Sequence, residues 1–261
     1  MRRVHLVELE DLPWFPAVLR DGGTTYLEFA VRLSGHAKAL VPTIAAALRR
    51  TNSTEIVDLG AGGGGPVRVI ADELARTGTP VEVRLTDFYP NLRAFARAAA
   101  GTDRITYEKA SIDAARVPAR LTGFRTLFNA FHHFRPADAR RILVDAATAR
   151  RPIGVFEVVS REPLALLGML TAPIGVILTV PFWRPFRWSW LFWTWLVPVM
   201  PLFVLWDGIV SWLRIYSVEE LREMVADIDA PGYSWDIGTI QLGNAPAHAT
   251  YLIGSPTTTT G

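Results

Sequence analysis

The sequence predicts an α/β protein: a doubly wound, mostly parallel seven-stranded sheet with an N-terminal helical arm and an apolar helical insertion after the fifth strand. Three observations predict it. A short apolar strand at 55–59 (EIVDL) breaks into a run of glycines, and a helical pattern follows at once. Further apolar runs then alternate with helical patterns as far as residue 159, which is the order that βα units of a parallel sheet require. A capped helix and two last strands close the chain, beyond a segment too apolar to belong to the same pattern.

Residues 1–23 read as an irregular arm, with Pro13 and Pro16 and acids at Glu8, Glu10 and Asp11 where a secretory leader would be apolar. The expected compartment is therefore the cytoplasm. From 24 to 50 the pattern is helical, with Leu27, Ala30, Val31 and Leu33 on one face and the cations Arg49 and Arg50 at the C-terminal end. After the first strand come a helix at 67–76, a strand at 81–86, a helix at 91–100 and a strand at 105–109. A strand at 125–131 leads to a helix opening on Pro136, where proline suits the first turn. The fifth strand is 152–159. Ser217 and Glu220 form a capping box for a helix at 218–227, and strands at 234–242 and 249–253 are joined by the turn-rich 243–246. The tail from 255 is polar and is expected to fray. The expected organisation is a covering arm at 1–54, a cofactor-binding core at 55–160, the insertion at 161–214, and a closing unit at 215–261.

Composition excludes several functions. A net charge of +2, from 27 basic and 25 acidic residues, gives no concentrated basic face for nucleic acid. Without cysteine there is no disulfide frame, thiolate zinc site or thiol nucleophile.

The turn VDLGAGGGGP, from Val57 to Pro66, carries the chemistry. Glycines after a strand let the backbone approach a ligand closely. Gly60, Gly62 and Gly65 fit a dinucleotide fingerprint, and Asp87 lies about 20 residues beyond, as a ribose-binding acid should. That keeps an NAD(P)-dependent oxidoreductase open as the alternative. Against it, Asp58 would repel a pyrophosphate, Asp113 adds a third acid after the third strand, and no Tyr-x-x-x-Lys pair occurs.

On these residues the chain resembles the class I S-adenosylmethionine-dependent methyltransferases. The motif D-x-G-x-G-x-G stands at Asp58, Gly60, Gly62 and Gly64, the acid ending the second strand is Asp87 in LTDFYP, and the third is Asp113 in ASIDA. The resemblance spans roughly 55–160 and 215–254. It implies S-adenosyl-L-methionine as cofactor, with Asp58 and the glycines near its methionine end and Asp87 on the ribose. Phe88, Ile112 and Asp113 would flank the adenine, and Asn129 joins the cofactor contacts from the end of the fourth strand. One departure is Phe124-Arg125-Thr126, where the family often has an aspartate.

The reacting end is less defined. His132 and His133 follow the fourth strand, where ligands of such sheets bind, and either is a candidate base, His133 slightly preferred. The competing reading is that the pair packs the loop. Glu157, a carboxylate inside an apolar strand, is the other catalytic candidate or else a buried partner of Arg161. Asp207 and Arg214 read as a pair anchoring the insertion's return, and Arg20, Thr25 and Tyr26 as residues over the cofactor. No metal is expected, since adjacent histidines on a strand point opposite ways.

Seven of the 9 tryptophans lie between 183 and 212, and 164–182 and 188–206 carry no charge. Each run is nearly long enough to cross a bilayer. Two crossings would put Arg184 and Arg187 on the far side, against the positive-inside bias, and five prolines interrupt the helices. A hairpin dipping into one leaflet is the preferred reading, ahead of a two-helix span and of a lid or dimer interface in a homo-oligomer. The expectation is methyl transfer to a hydrophobic or lipid-like acceptor by a protein peripheral or monotopic at the membrane. Removing 164–206 is expected to abolish turnover and spare cofactor binding. A non-catalytic, membrane-associated cofactor-binding protein is the remaining alternative.

Overall fold

A computed structural model describes residues 3–243 and 247–257; the turn expected at 244–246 and the tail from 258 lie outside them. Five parallel strands form first: β1 Glu55–Asp58, β2 Glu82–Leu85, β3 Ile105–Tyr107, β4 Phe124–Phe128 and β5 Ile153–Glu157. The antiparallel strands β6 Tyr233–Gln241 and β7 His248–Pro256 complete a seven-stranded sheet in the order β3-β2-β1-β4-β5-β7-β6. The order of strand addition reverses between β1 and β4, which pair in parallel from Ile56 against Phe124 to Asp58 against Thr126. A crevice opens outside the strand ends at such a switch point.

Helices cover both faces. The runs α2 (His36–Arg50), α3 (Val67–Arg76) and α4 (Leu92–Ala99) lie on one face, burying Ile44, Leu48, Ile70, Leu74 and Phe95. The other face takes α5 (Pro136–Thr148) and α9 (Val218–Ala226), through Ile142, Leu143, Leu221 and Val225. Each such side chain contributes about 1.5–3 kcal/mol on full burial. The capping box on α9 is made as expected, Ser217 accepting from the Glu220 amide.

The arm differs from expectation. Helix α1 starts at Ala17, not at 24, and runs to Ser34, where Gly35 at φ 69 breaks it from α2. Gly22 and Gly23 look like helix breakers in the sequence, costing about 1 kcal/mol each against alanine. They are close-approach sites instead: a Cβ on Gly22 would stand 2.3 Å from Met200 Cε, and one on Gly23 would stand 2.6 Å from Phe203 Cε1.

Met200 and Phe203 belong to the insertion, which folds as α6 (Pro163–Thr179), a short α7 (Trp188–Leu191), a π turn at Phe192–Leu196 and α8 (Val199–Arg214). Chain direction bends by 83° between the π turn and α8. The inner sides of α6 and α8 form a third core with the arm and α1, in which Phe15, Leu19, Val176, Trp183, Trp190 and Phe203 are buried. Pro163–Phe182 has a mean hydropathy of 2.0, yet only 11% of its apolar window is buried. Its outer stripe, Leu164, Leu167, Leu170, Ile174 and Leu178, faces outward, as do Trp188, Trp195, Leu196 and Trp206. The insertion is thus bound to the core on one side and bare on the other.

Candidate active site

The glycine turn leaves β1 and enters α3 at the switch point. Gly62 and Gly64 hold φ of 50 and 99, left-handed values that glycine adopts without a steric penalty. Space around Gly62 is open, with nothing within 4 Å of where a Cβ would stand. A Cβ on Gly60 would be 3.1 Å from Ala130 on the β4 loop, and one on Gly63 would meet Thr24 Cγ2 at 2.2 Å and Glu28 Oε1 at 2.8 Å. Helix α1 therefore seats directly on the turn. Thr24 and Glu28 make that contact, one helical step from the expected Arg20, Thr25 and Tyr26. Arg20 instead donates to the arm carbonyls of Glu10 and Leu12, Thr25 bonds back to the Asp21 carbonyl, and Tyr26 points into the insertion beside Trp183.

The three acids of the motif follow one another at or after the ends of three adjacent strands. Asp58, at the end of β1, is 1% exposed and accepts from Thr126 Oγ1 at 3.1 Å. Burial pushes its carboxyl up to about 7, the Thr126 hydroxyl holds that rise back, and nearby Asp87 adds to it. Thr126 occupies the stretch where the family often has an acid, and Arg125 beside it is buried in an ion pair with Asp145 of α5 at 2.7 Å. Asp87, past β2, accepts from the Gly62 amide at 2.9 Å and from the Tyr89 amide at 2.8 Å. Each oxygen keeps further acceptor capacity. Asp113, past β3, accepts from the Ala115 amide at 2.8 Å through Oδ1, and Oδ2 has no partner among the described residues. Ile112 is buried, its amide donating to the Asp87 carbonyl at 2.9 Å, and Phe88 is half exposed in edge contact with Tyr89. Asn129 sits at φ 49, and its side-chain oxygen accepts from the Val158 amide at 2.7 Å. Its carboxamide oxygen therefore clamps the ends of β4 and β5.

The β4 loop is a 3-10 turn, Phe131–His133, and not a strand end. Glu157 closes it from β5: Oε1 accepts from the amides of Phe131 and His132 at 2.9 and 3.1 Å, and Oε2 meets His132 Nδ1 at 2.8 Å. The expected partner Arg161 binds Glu220 instead, at 2.6 Å. On the 3-10 turn the two imidazoles lie 4.4 Å apart, tilted by 31°, so they do not point opposite ways. With Glu8 they bring three metal-capable donors within 4.8 Å of one another. A cation is already there: Arg214 of α8 is 3.1 Å from Glu8 Oε1 and 2.8 Å from Asp11 Oδ2, and it donates to the His132 and His133 carbonyls. Arg3 donates to the carbonyls of His132, Phe134 and Arg214.

Asp207 therefore does not pair with Arg214. It accepts from the Leu9 and Glu10 amides at 2.7 and 3.0 Å, and burial lifts it to about 6 against the pull of those two bonds. His133 meets Asp11 at 3.1 Å. Burial lowers its pKa, but the Glu8 charge and the Asp11 bond outweigh that and hold it up at about 9. Asp11 is pushed up by burial and pulled further down by His133 and Arg214, well below the usual carboxylate range. Glu8 and Asp11 favour the protonated form of His133, which makes it the poorer base, whereas His132 has its Nδ1 anchored on Glu157, as an oriented base would. Glu8 and Asp11 were missed as site residues. Their only signal was an acidic run in an arm with no recognisable periodicity.

No family model and no curated protein matches the chain. Solved structures do. The plantazolicin methyltransferase BpumL in complex with SAH superposes with a TM-score of 0.60 at 10% sequence identity, covering 95% of this chain and 94% of that one. The same enzyme with a triazolic desmethylPZN analog and SAH gives 0.57 at 10% identity, over 91% and 90% of the two chains. At that identity the likeness is one of fold. The chain has the α/β, Rossmann-like methyltransferase fold.

Proposed function

We propose that this chain is an S-adenosylmethionine-dependent methyltransferase acting on a hydrophobic acceptor at a membrane surface. One observation carries the reading: a carboxylate follows each of three successive strands, Asp58, Asp87 and Asp113, and Asp87 accepts from the amide of Gly62 in the glycine turn. A buried acid at the root of the turn suits a cation better than a pyrophosphate. The antiparallel β6–β7 hairpin also replaces the sixth parallel strand of a dinucleotide domain. The SAH named in the BpumL structures supports the same cofactor here.

Asp58 and the turn would hold the methionine end, Asp87 the ribose hydroxyls, and Phe88, Ile112 and Asp113 the adenine, with Asn129 fixing the β4 edge of the cleft. S-adenosylmethionine supplies a methyl group on a sulfonium. The chain supplies position: α1 closes over the turn, and the turn itself is fixed against Ala130. His132, oriented by Glu157, takes a proton at Nε2 when the acceptor carries one to lose. Glu8, 3.8 Å from that nitrogen, must yield to admit the acceptor.

The bare outer stripe of α6 and the exposed Trp188, Trp195 and Trp206 support docking on the cytoplasmic membrane, peripheral or monotopic, since indole rings favour the headgroup boundary. Calorimetry with S-adenosylhomocysteine tests the cofactor, and transfer of a labelled methyl group into a lipid extract tests the acceptor. An Asp87→Ala variant that binds S-adenosylhomocysteine as tightly as the parent would remove the basis of the proposal.

A further inference from the structure

Two cavities meet beside the glycine turn. One, of about 490 Å³, lies against residues 63–65 and is lined by Arg32, Arg68, Arg97 and Arg184. The other, of about 240 Å³, runs on to the end of the apolar helix, past Phe29, Leu33 and Phe182. Glu28, Arg32 and Arg184 line both, so the two are halves of one groove, cationic at the turn and apolar toward the insertion.

The cationic half is built. Arg68 Nη1 is fixed by the carbonyls of Arg97, Ala98 and Ala100, and Arg184 Nη1 by those of Pro181 and Trp183. Arg32 and Arg97 enter no ion pair among the described residues. Two carboxylates also line it. Asp72 lies 3.6 Å from Arg104 outside the groove, and Glu28 is pushed toward its neutral form by burial while Arg97 and Arg32 pull it back. Positive charge is left over on a groove that opens onto a greasy wall.

We infer that this groove binds an anionic amphiphile, with a phosphate among the guanidiniums and hydrocarbon on Phe29, Leu33 and Phe182. Guanidinium binds phosphate in a planar, two-pronged geometry. Phe182 of the apolar half follows the end of α6, whose outer stripe is the surface proposed above to meet a bilayer. The ligand class is therefore an anionic phospholipid taken from that bilayer, and only this source rests on the docking proposal.

The test uses the intact protein. Calorimetry with monomeric dihexanoyl phosphatidylglycerol and dihexanoyl phosphatidylcholine should show at least about ten-fold tighter binding of the anionic lipid, the scale of one charge-assisted contact. Arg32→Glu with Arg97→Glu should erase the preference and leave S-adenosylhomocysteine affinity within about two-fold. Arg32→Gln with Arg97→Gln, checked by melting temperature, covers the case in which charge reversal unfolds the chain. Equal affinity for both lipids, no binding of either, or a preference that survives the paired substitutions overturns the inference. Flotation with phosphatidylcholine vesicles separates the two proposals. A protein that ignores vesicles yet discriminates the short-chain lipids keeps the groove and loses the docking surface, and the reverse result loses the groove alone.

Discussion

Asp58 makes the cofactor reading quantitative. Its carboxyl is 1% exposed, with one side-chain bond from Thr126, and burial places it at about 7. The α-ammonium at the methionine end, which S-adenosylhomocysteine keeps although it lacks the sulfonium, needs the ionised form. With that midpoint, the ionised fraction falls about ten-fold between pH 8 and pH 6, so affinity for S-adenosylhomocysteine should weaken by about the same factor over that interval. Stability runs the other way. A carboxyl raised above its unfolded value stabilises the fold below about pH 4, and that contribution is lost as pH rises through about 7. Shifted by about three units, it costs up to about 4 kcal/mol at pH 8. Asp58→Asn cannot ionise and still accepts from Thr126. At pH 8 it should melt at a higher temperature than the parent, bind S-adenosylhomocysteine more weakly, and show no pH slope in calorimetry between pH 6 and pH 8. A flat profile in the parent, or an unchanged slope in Asp58→Asn, would refute the assignment of Asp58 to the cationic end.

Other outcomes follow from the same contacts. Arg214→Met strands Glu8 and Asp11 around His133; removing one partner of a buried pair costs about 3–5 kcal/mol, which denaturant unfolding should register. Glu157→Gln keeps an acceptor for the Phe131 and His132 amides but loses the carboxylate on His132 Nδ1. Labelled methyl transfer should drop by at least about ten-fold with S-adenosylhomocysteine affinity nearly unchanged. Leu167→Asp with Ile174→Asp alters only the outward stripe of α6, so vesicle flotation should be lost at little change in melting temperature. Removing 164–206, by contrast, should unfold the arm, because Met200 and Phe203 pack onto Gly22 and Gly23 of the helix that covers the turn.

The sequence by itself determined the sheet. Five parallel strands, the glycine turn, the three acids and the closing hairpin are local patterns, legible because strand alternation, turn chemistry and capping act over a few residues. The start of α1 was not legible, because Gly22 and Gly23 lower helix propensity and only the side chains of α8 explain them. Nor were the partners of the charges. Glu157 was paired with Arg161 by proximity in the chain and is held instead by a loop 25 residues away, while Arg214 reaches Asp11 across 203 residues. Which carboxylate meets which cation depends on how separate segments stack, and a buried charge takes whatever partner the packing brings within about 3 Å. Tertiary structure alone decided that Glu8 and Asp11 enclose His133, that His132 is held on Glu157, and that the insertion buries one face and bares the other.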